Sequence, residues 1–196
     1  MIPSDEDIRA LHEKHAPTPE AFEAVYTHCR IVCAIAEQLL PRFPEPVDAA
    51  LVRAGCLLHD LGVYRLYRDG VLDYKRYIRH GVLGHEILAE EGFPEELCRF
   101  CSCHTGMGVT RADVTGQGLP IPVADYVPGT PEERLVMYAD KFHSKSAPPA
   151  FVSPESYAAR VARFGDDKVA LFQHLRDTVG DPDLAPLAAR YAQNIV

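Results

Sequence analysis

The chain has 196 residues, 47% hydrophobic and 24% charged, which is the balance of an ordinary globular protein and not of a disordered or membrane-embedded one. Its net charge of -8 disfavours an extended nucleic-acid footprint or an anionic membrane surface, since both need local basic density, but is compatible with a small anion held by metal ions. The acidic start lacks a basic and then apolar leader, the apolar run Ile31 to Leu40 is broken by Glu37 and Gln38, and six cysteines fit a reducing compartment, so a cytoplasmic protein without membrane spans is expected.

Helix starts are marked by a capping residue followed by Pro, at Thr18-Pro19, Thr130-Pro131, Ser153-Pro154 and Asp181-Pro182, while Phe93-Pro94 lacks the polar cap. Ser4 with Asp7, and Thr130 with Glu133, read as capping boxes. No stretch sustains period-two alternation, so the sequence predicts an all-α fold without a substantial sheet, in one domain spanning residues 1–196. Between Pro19 and Leu40, Phe22, Val25, Cys29, Val32, Ala36 and Leu39 mark one helical face. His28, beside Cys29, points into the edge of that core; alone it reads as a hydrogen-bonded filler.

The apolar helix from Ala49 to Leu58 then delivers His59 and Asp60 as neighbours. An ionised carboxylate buried there is costly unless it is paired or binds a metal, and an Asp can offer one oxygen to each of two ions. The plainer alternative is a polar pair facing water just before Gly62. From Tyr64 to Arg79 the chain interleaves tyrosines with Arg65, Arg68, Lys75, Arg76 and Arg79. This is either a solvated connection or a substrate rim, with Arg79 and Arg65 as candidate phosphate contacts.

The helix from Tyr77 to Leu88, ending near Gly92, carries His80 and His85. Five residues apart, they diverge by about 140° and do not serve one site together. His80 is preferred, because Gly84 one turn on permits close helix approach, and His85 is the alternative ligand. Pro94 opens a helix that ends at His104. Its cluster Cys98, Cys101, Cys103 and His104 lacks the second separated Cys pair of a structural zinc site. Residues 105–129 read as an irregular loop with a helical turn near Arg111 to Thr115, a lid or a site wall. The helix from Pro131 runs to Lys145; Asp140 interrupts its apolar side, and His143 lies one turn on at the same mouth. Helices at Ser153 to Gly165, Asp166 to Gly180 and Asp181 to Asn194 are assigned to packing, and His12, His15 and His174 to the surface.

The ordered series His28, His59-Asp60, His80, His104, Asp140 resembles the HD-domain metal-dependent phosphohydrolases, in the branch whose pattern is His, His-Asp, His, His, Asp. It is distantly similar to the symmetrical dinucleoside tetraphosphate hydrolases of that type. The resemblance rests on Leu58-His59-Asp60-Leu61-Gly62, His80-Gly81-Val82-Leu83-Gly84, Cys103-His104-Thr105-Gly106 and Tyr138-Ala139-Asp140-Lys141, and covers about Thr27 to Lys145. It implies an all-α HD helical bundle with a metal-site core at about 19–147 and a C-terminal helical extension at about 151–196. It further implies that His28, His59, Asp60 and Asp140 hold one divalent ion, and that Asp60, the catalytic bridging ligand, extends to a second ion on His80 and His104. A water between two such ions is acidified for attack on phosphorus. Family habit favours iron or manganese, and the nitrogen and oxygen donors also suit zinc, nickel and cobalt. The implied substrate is a small phosphorylated or nucleotide-like molecule, with Arg79, Lys141, Lys145, Arg65 and His143 around it; neither a nucleic-acid polymer nor a membrane is an expected partner, and a homodimer is left open. One departure stands out: many relatives carry Lys where this chain has Val63, so the cation must come from elsewhere. A mixed-valent di-iron oxygenase and a non-catalytic nucleotide-binding module share the ligand order and are the alternatives.

Overall fold

Thr18 accepts a hydrogen bond from the Ala21 amide, Pro19 presets the first turn, and together they launch the longest helix, α2 (Pro19–Leu39). Its buried stripe, with Val25, Cys29, Val32, Ala36 and Leu39, is covered by α3 (Ala49–Leu58) and α7 (Pro131–Asp140). Each such aliphatic side chain contributes about 1.5–3 kcal/mol on burial. The computed structural model describes residues 2–196. The remaining helices are α1 (Asp5–His15), α4 (His80–Glu90), α5 (Glu95–Ser102), α6 (Arg111–Gly116), α8 (Pro154–Val161), α9 (Asp166–Val179) and α10 (Ala185–Tyr191). One apolar core runs through them except α6, from Ile8 in α1 to Ala188 in α10. Among the described residues no helix is long and apolar enough to cross a membrane.

The fold is all-α, and its strands are two residues each: an antiparallel pair, β1 (Tyr67–Arg68) and β2 (Val71–Leu72), and a three-stranded patch of β3 (His143–Ser144), β4 (Ala150–Phe151) and β5 (Asn194–Ile195). β4 pairs antiparallel with β3 and parallel with β5, so the end of the chain is tied to the segment that follows α7. Several boundaries differ from expectation. The helix expected to reach Lys145 stops at Asp140, because Phe142 and Val152 enter the backbone pairing of the small patch. The start expected at Asp181-Pro182 falls at Ala185, where the Asp183 side chain accepts from the Ala185 amide. The stretch from Tyr74 to Arg79 is a 3-10 helix feeding α4 at His80. Ser4 and Asp7 form the reciprocal capping box, but Glu133 does not return to Thr130; its carboxylate instead takes Arg99 and the Gly129 amide.

The 3-10 segment Leu61–Leu66 crosses α4 at two glycines. A Cβ on Gly62 would fall inside the radii of the His80 carbonyl oxygen and the Gly84 amide nitrogen. One on Gly84 would stand 2.9 Å from Cys101 Sγ and 3.0 Å from the Gly62 nitrogen. This backbone contact sets the distance between Asp60 and His80.

His12, assigned to the surface from sequence, is fully buried. The Leu57 carbonyl can only accept, so His12 Nε2–H donates to it at 2.7 Å, and Nδ1 accepts from the Tyr64 hydroxyl at 2.8 Å. Burial pushes its pKa down from 6.5 to about 4. The unfolded chain therefore binds the extra proton first. The stability this group contributes is complete above about pH 6.5 and is lost as pH falls through about 4, to the extent of about 3 kcal/mol. Urea midpoints of wild type and His12→Gln between pH 7 and about 4 check this: the variant has the shallower decline, and parallel curves contradict the assignment.

Candidate metal centre

Helix ends supply most of the centre. Asp48 caps α3, accepting from the amides of Ala50 and Leu51, and the helix closes on His59 as its C-cap, which throws Asp60 into a non-helical conformation beneath α4. His80 is the first residue of α4, His104 follows the last turn of α5, and Asp140 is the last residue of α7. Only His28 comes from mid-helix, on α2. All four imidazoles and Asp60 are buried.

The two oxygens of Asp60 face different partners. Oδ2 lies 3.2 Å from His28 Nε2 and 3.7 Å from His59 Nε2, while Oδ1 lies 3.7 Å from both His80 Nε2 and His104 Nε2. Asp140 Oδ1 joins the first group, 3.1 Å from His28 Nε2 and 3.4 Å from His59 Nε2. Donors around one ion at about 2.1 Å stand about 3–3.5 Å from one another, so the spacings fit two adjoining sites that share Asp60.

Protonation states support the fit. His59 Nδ1 lies 2.8 Å from the Cys56 carbonyl oxygen, His80 Nδ1 2.6 Å from that of Tyr77, and His104 Nδ1 3.0 Å from that of Phe100. A carbonyl only accepts, so each Nδ1 carries the hydrogen; His80 and His104, kept neutral, turn a bare Nε2 inward, whereas Cys29, Asp60 and a hydrogen bond to Asp140 outweigh burial and hold His59 well above the usual imidazole range. His80 Nε2 and His104 Nε2 consequently face each other lone pair to lone pair at 2.9 Å. A proton would relieve that repulsion, but burial pushes His80 down to about 4, and burial with the neighbouring His59 and His80 holds His104 well below the usual imidazole range. A cation held by both nitrogens resolves the conflict.

Burial opposes the charge on Asp60, yet the Lys145 ammonium and His59 keep its carboxyl well below the usual range. Asp140 is held down in the same sense, first by the Lys141 ammonium and also by His59. Lys145 Nζ contacts Asp60 Oδ2 and lies 5.2 Å from the centre of the Tyr77 ring. Lys141 Nζ donates to Asp140 Oδ2 at 2.7 Å and to the His104 carbonyl at 2.9 Å. Val63, at the position where many relatives carry Lys, is fully buried, and Lys145 brings the cation from far along the chain.

The centre forms the floor of a cavity of about 410 Å³, walled by Lys141, Lys145 and His143, and by Tyr77 from the 3-10 segment. Arg65 and Arg79 do not line it; Arg65 pairs with Glu86 and Glu90 on α4 instead. His85 also lies outside, its Nδ1 on Ser102 Oγ at 3.1 Å and its Nε2 3.2 Å from Glu95. The C-terminal helices, assigned to packing, contribute Tyr157, Arg160, Arg163 and Phe164 to the wall. The available signal was Arg160-x-x-Arg163-Phe164, with an aromatic left on the polar face of a helix end. Past Ile78, Thr105, Gly106 and Phe164 the cavity adjoins a second, mainly apolar one of about 260 Å³.

An uncharacterized protein of Methanocaldococcus jannaschii is 40% identical over 121 residues, 60% of this chain and 65% of that protein. The tRNA (cytidine(56)-2'-O)-methyltransferase of Picrophilus torridus is 34% identical over 124 residues, which cover 63% of this chain and 33% of the enzyme. The chain thus spans less than two thirds of the length of these curated relatives. In fold it is similar to the HD domain of the L. monocytogenes phosphodiesterase PgpH, with a TM-score of 0.52 at 17% identity, covering 95% of this chain and 100% of the other. The same domain in complex with cyclic-di-AMP gives 0.54 at 19%, covering 97% and 99%. The HD domain family profile matches residues 25–145, which include all six converging side chains, and the chain belongs to the HD domain family.

Proposed function

We propose that this chain is a metal-dependent phosphohydrolase acting on a phosphate ester or anhydride of a small nucleotide-like metabolite at a dinuclear centre. The observation that carries the reading is the division of the Asp60 oxygens between two imidazole groups at the floor of a cation-walled cavity. His28, His59, Asp60 and Asp140 would hold one ion, and Asp60, His80 and His104 the other; iron or manganese is the favoured metal. When bound, two such ions supply Lewis acidity to a phosphoryl group and lower the pKa of water towards neutrality.

The chain's own residues provide the rest. Lys145 and Lys141 stand beside the two carboxylates, where their ammonium groups are placed to meet phosphoryl oxygens. Arg160 and Arg163 add outer cations suited to a second phosphate. Tyr74 and Phe164, 57% and 56% exposed, both line the cavity, an unusual pair of solvent-facing aromatics. They suit a planar base, and the adjoining apolar cavity suits the remainder of a nucleoside. The fold neighbour solved with a cyclic dinucleotide supports the same ligand class. Six free, buried cysteines agree with a cytoplasmic setting.

The test is phosphate release from a panel of nucleotides and simple phosphoesters by metal-loaded protein without oxygen. Turnover confirms the reading; oxygen-dependent consumption of a polyol or phosphonate, or nucleotide binding without turnover, contradicts it. Within the panel, Phe164→Ala raises KM for the best nucleotide about tenfold, as loss of one base stack predicts, and leaves an aliphatic phosphoester unaffected. Equal effects on both substrates would remove Phe164 from the site.

A further inference from the structure

His28 differs from the other three imidazoles in how its outer nitrogen is held. His59, His80 and His104 sit at helix ends and place Nδ1 on a carbonyl of their own preceding turn. His28 lies in the middle of α2, where the backbone carbonyls are already taken by the helical ladder. Its Nδ1 instead meets His143 Nδ1 at 2.7 Å, the two rings stacked with centroids 5.0 Å apart. His143 Nε2 in turn meets the side-chain oxygen of Gln193 at 2.8 Å. Gln193 is delivered by the end of α10: Ala192 takes a left-handed conformation, φ 51°, the Gln193 amide returns to the Ala188 carbonyl, and β5 then pairs with β4.

Two nitrogens in contact share one hydrogen, so this chain of contacts has two directions. If Gln193 Oε1 accepts from His143 Nε2–H, then His143 Nδ1 is bare and accepts from His28 Nδ1–H, and His28 Nε2 presents a lone pair to Asp60, Asp140 and His59. In the opposite direction the Gln193 amide group donates, and His28 Nε2 carries a hydrogen into the place an ion needs. A ligating His whose other nitrogen donates to an outer acceptor is oriented and made more basic by it.

We propose that His143 and Gln193 are positioning residues that lock His28 in the Nδ1–H tautomer, so that the segment between α10 and β5 completes the first metal site. The C-terminal segment thereby acts on the centre without touching the ions, and His143, although it lines the cavity, has both ring nitrogens engaged and none for substrate. The inference rests on the metal-centre reading and is independent of which reaction the centre performs.

The experiment is a Zn²⁺ titration of chelator-stripped full-length protein against a competing chromophoric chelator, with wild type, Gln193→Ala, Gln193→Glu, Gln193→Lys and Asn194→Ala. Glu keeps the acceptor, Lys supplies only a donor, and Asn194 is the exposed next residue, the first of β5. Gln193→Ala and Gln193→Lys are expected to lose about 10–100-fold in affinity, whereas Gln193→Glu and Asn194→Ala keep the wild-type value. A second readout, ¹⁵N chemical shifts of the histidine rings in Zn²⁺-saturated protein, places the His143 hydrogen on Nε2 in wild type and Gln193→Glu and removes it from Nε2 in Gln193→Lys. Unchanged affinity in Gln193→Ala, or an equal loss in Gln193→Glu, overturns the proposal. A wild type that binds no Zn²⁺ overturns it together with the metal centre, while metal binding without phosphate release leaves the relay standing and removes only the hydrolase reading.

Discussion

Asp60→Ala abolishes the dinuclear centre and lowers kcat/KM for the best phosphoester by more than about 10³-fold, because the Lewis acidity of two ions is worth several kcal/mol in the transition state. The reason is geometric. Each Asp60 oxygen belongs to a different donor group, so one substitution leaves three donors on one side and only His80 and His104 on the other. It also leaves the Lys145 ammonium beside an apolar methyl group in a buried place, and loss of a partner there costs about 3–5 kcal/mol. Asp60→Asn separates the two effects by keeping size and one acceptor while removing the charge. His104→Ala, by contrast, empties only the second group and retains the first ion. Elemental analysis alongside phosphate release distinguishes these outcomes, and an Asp60→Ala protein that keeps both ions contradicts the assignment of Asp60 as the bridge.

Gly62→Ala has the second large effect, and it acts through backbone. The added methyl would overlap the His80 carbonyl and the Gly84 amide, neither of which can rotate away. Relief requires α4 to move off the Leu61–Leu66 segment, carrying His80 away from Asp60. The expected loss is about 3–5 kcal/mol of stability, beyond the usual range for overpacking because main chain and not side chain must yield. The urea midpoint measures the first consequence and the affinity for the second ion the second. Gly84→Ala is milder, since its closest approaches, 2.9 Å to Cys101 Cβ and Sγ, leave a smaller overlap than those at Gly62. A Gly62→Ala protein with wild-type midpoint and metal content would contradict the packing described here.

The helical class was legible from the repeated cap-and-proline starts and from the stripe on α2, because both are local signals. The six converging residues were legible through their order and the short motifs around His59, His80, His104 and Asp140, and the structure brings them together. Gly84, singled out as an allowance for close approach, meets Gly62 and Cys101. What escaped notice depends on distant pairing. His12 looks like a surface residue on a polar helix until Leu57 and Tyr64 fold over it. Lys145 was expected beside the substrate, but its pairing with Asp60 arises only because α7 stops early and the chain turns into β3. Arg160, Arg163, Phe164 and Gln193 carry no motif, and their positions follow from how the C-terminal helices and β5 close on the centre. Arg65 failed in the other direction, drawn away by two glutamates on α4 that composition could not pair with it.

The central claim is that two ions at one shared carboxylate perform phosphoryl hydrolysis. Its most direct test is a titration of stripped protein with Mn²⁺ under anaerobic conditions, following phosphate release from the best substrate of the panel. The structure predicts activity that rises to a plateau at two equivalents of metal per chain; a plateau at one equivalent, or no release at any loading, would contradict it.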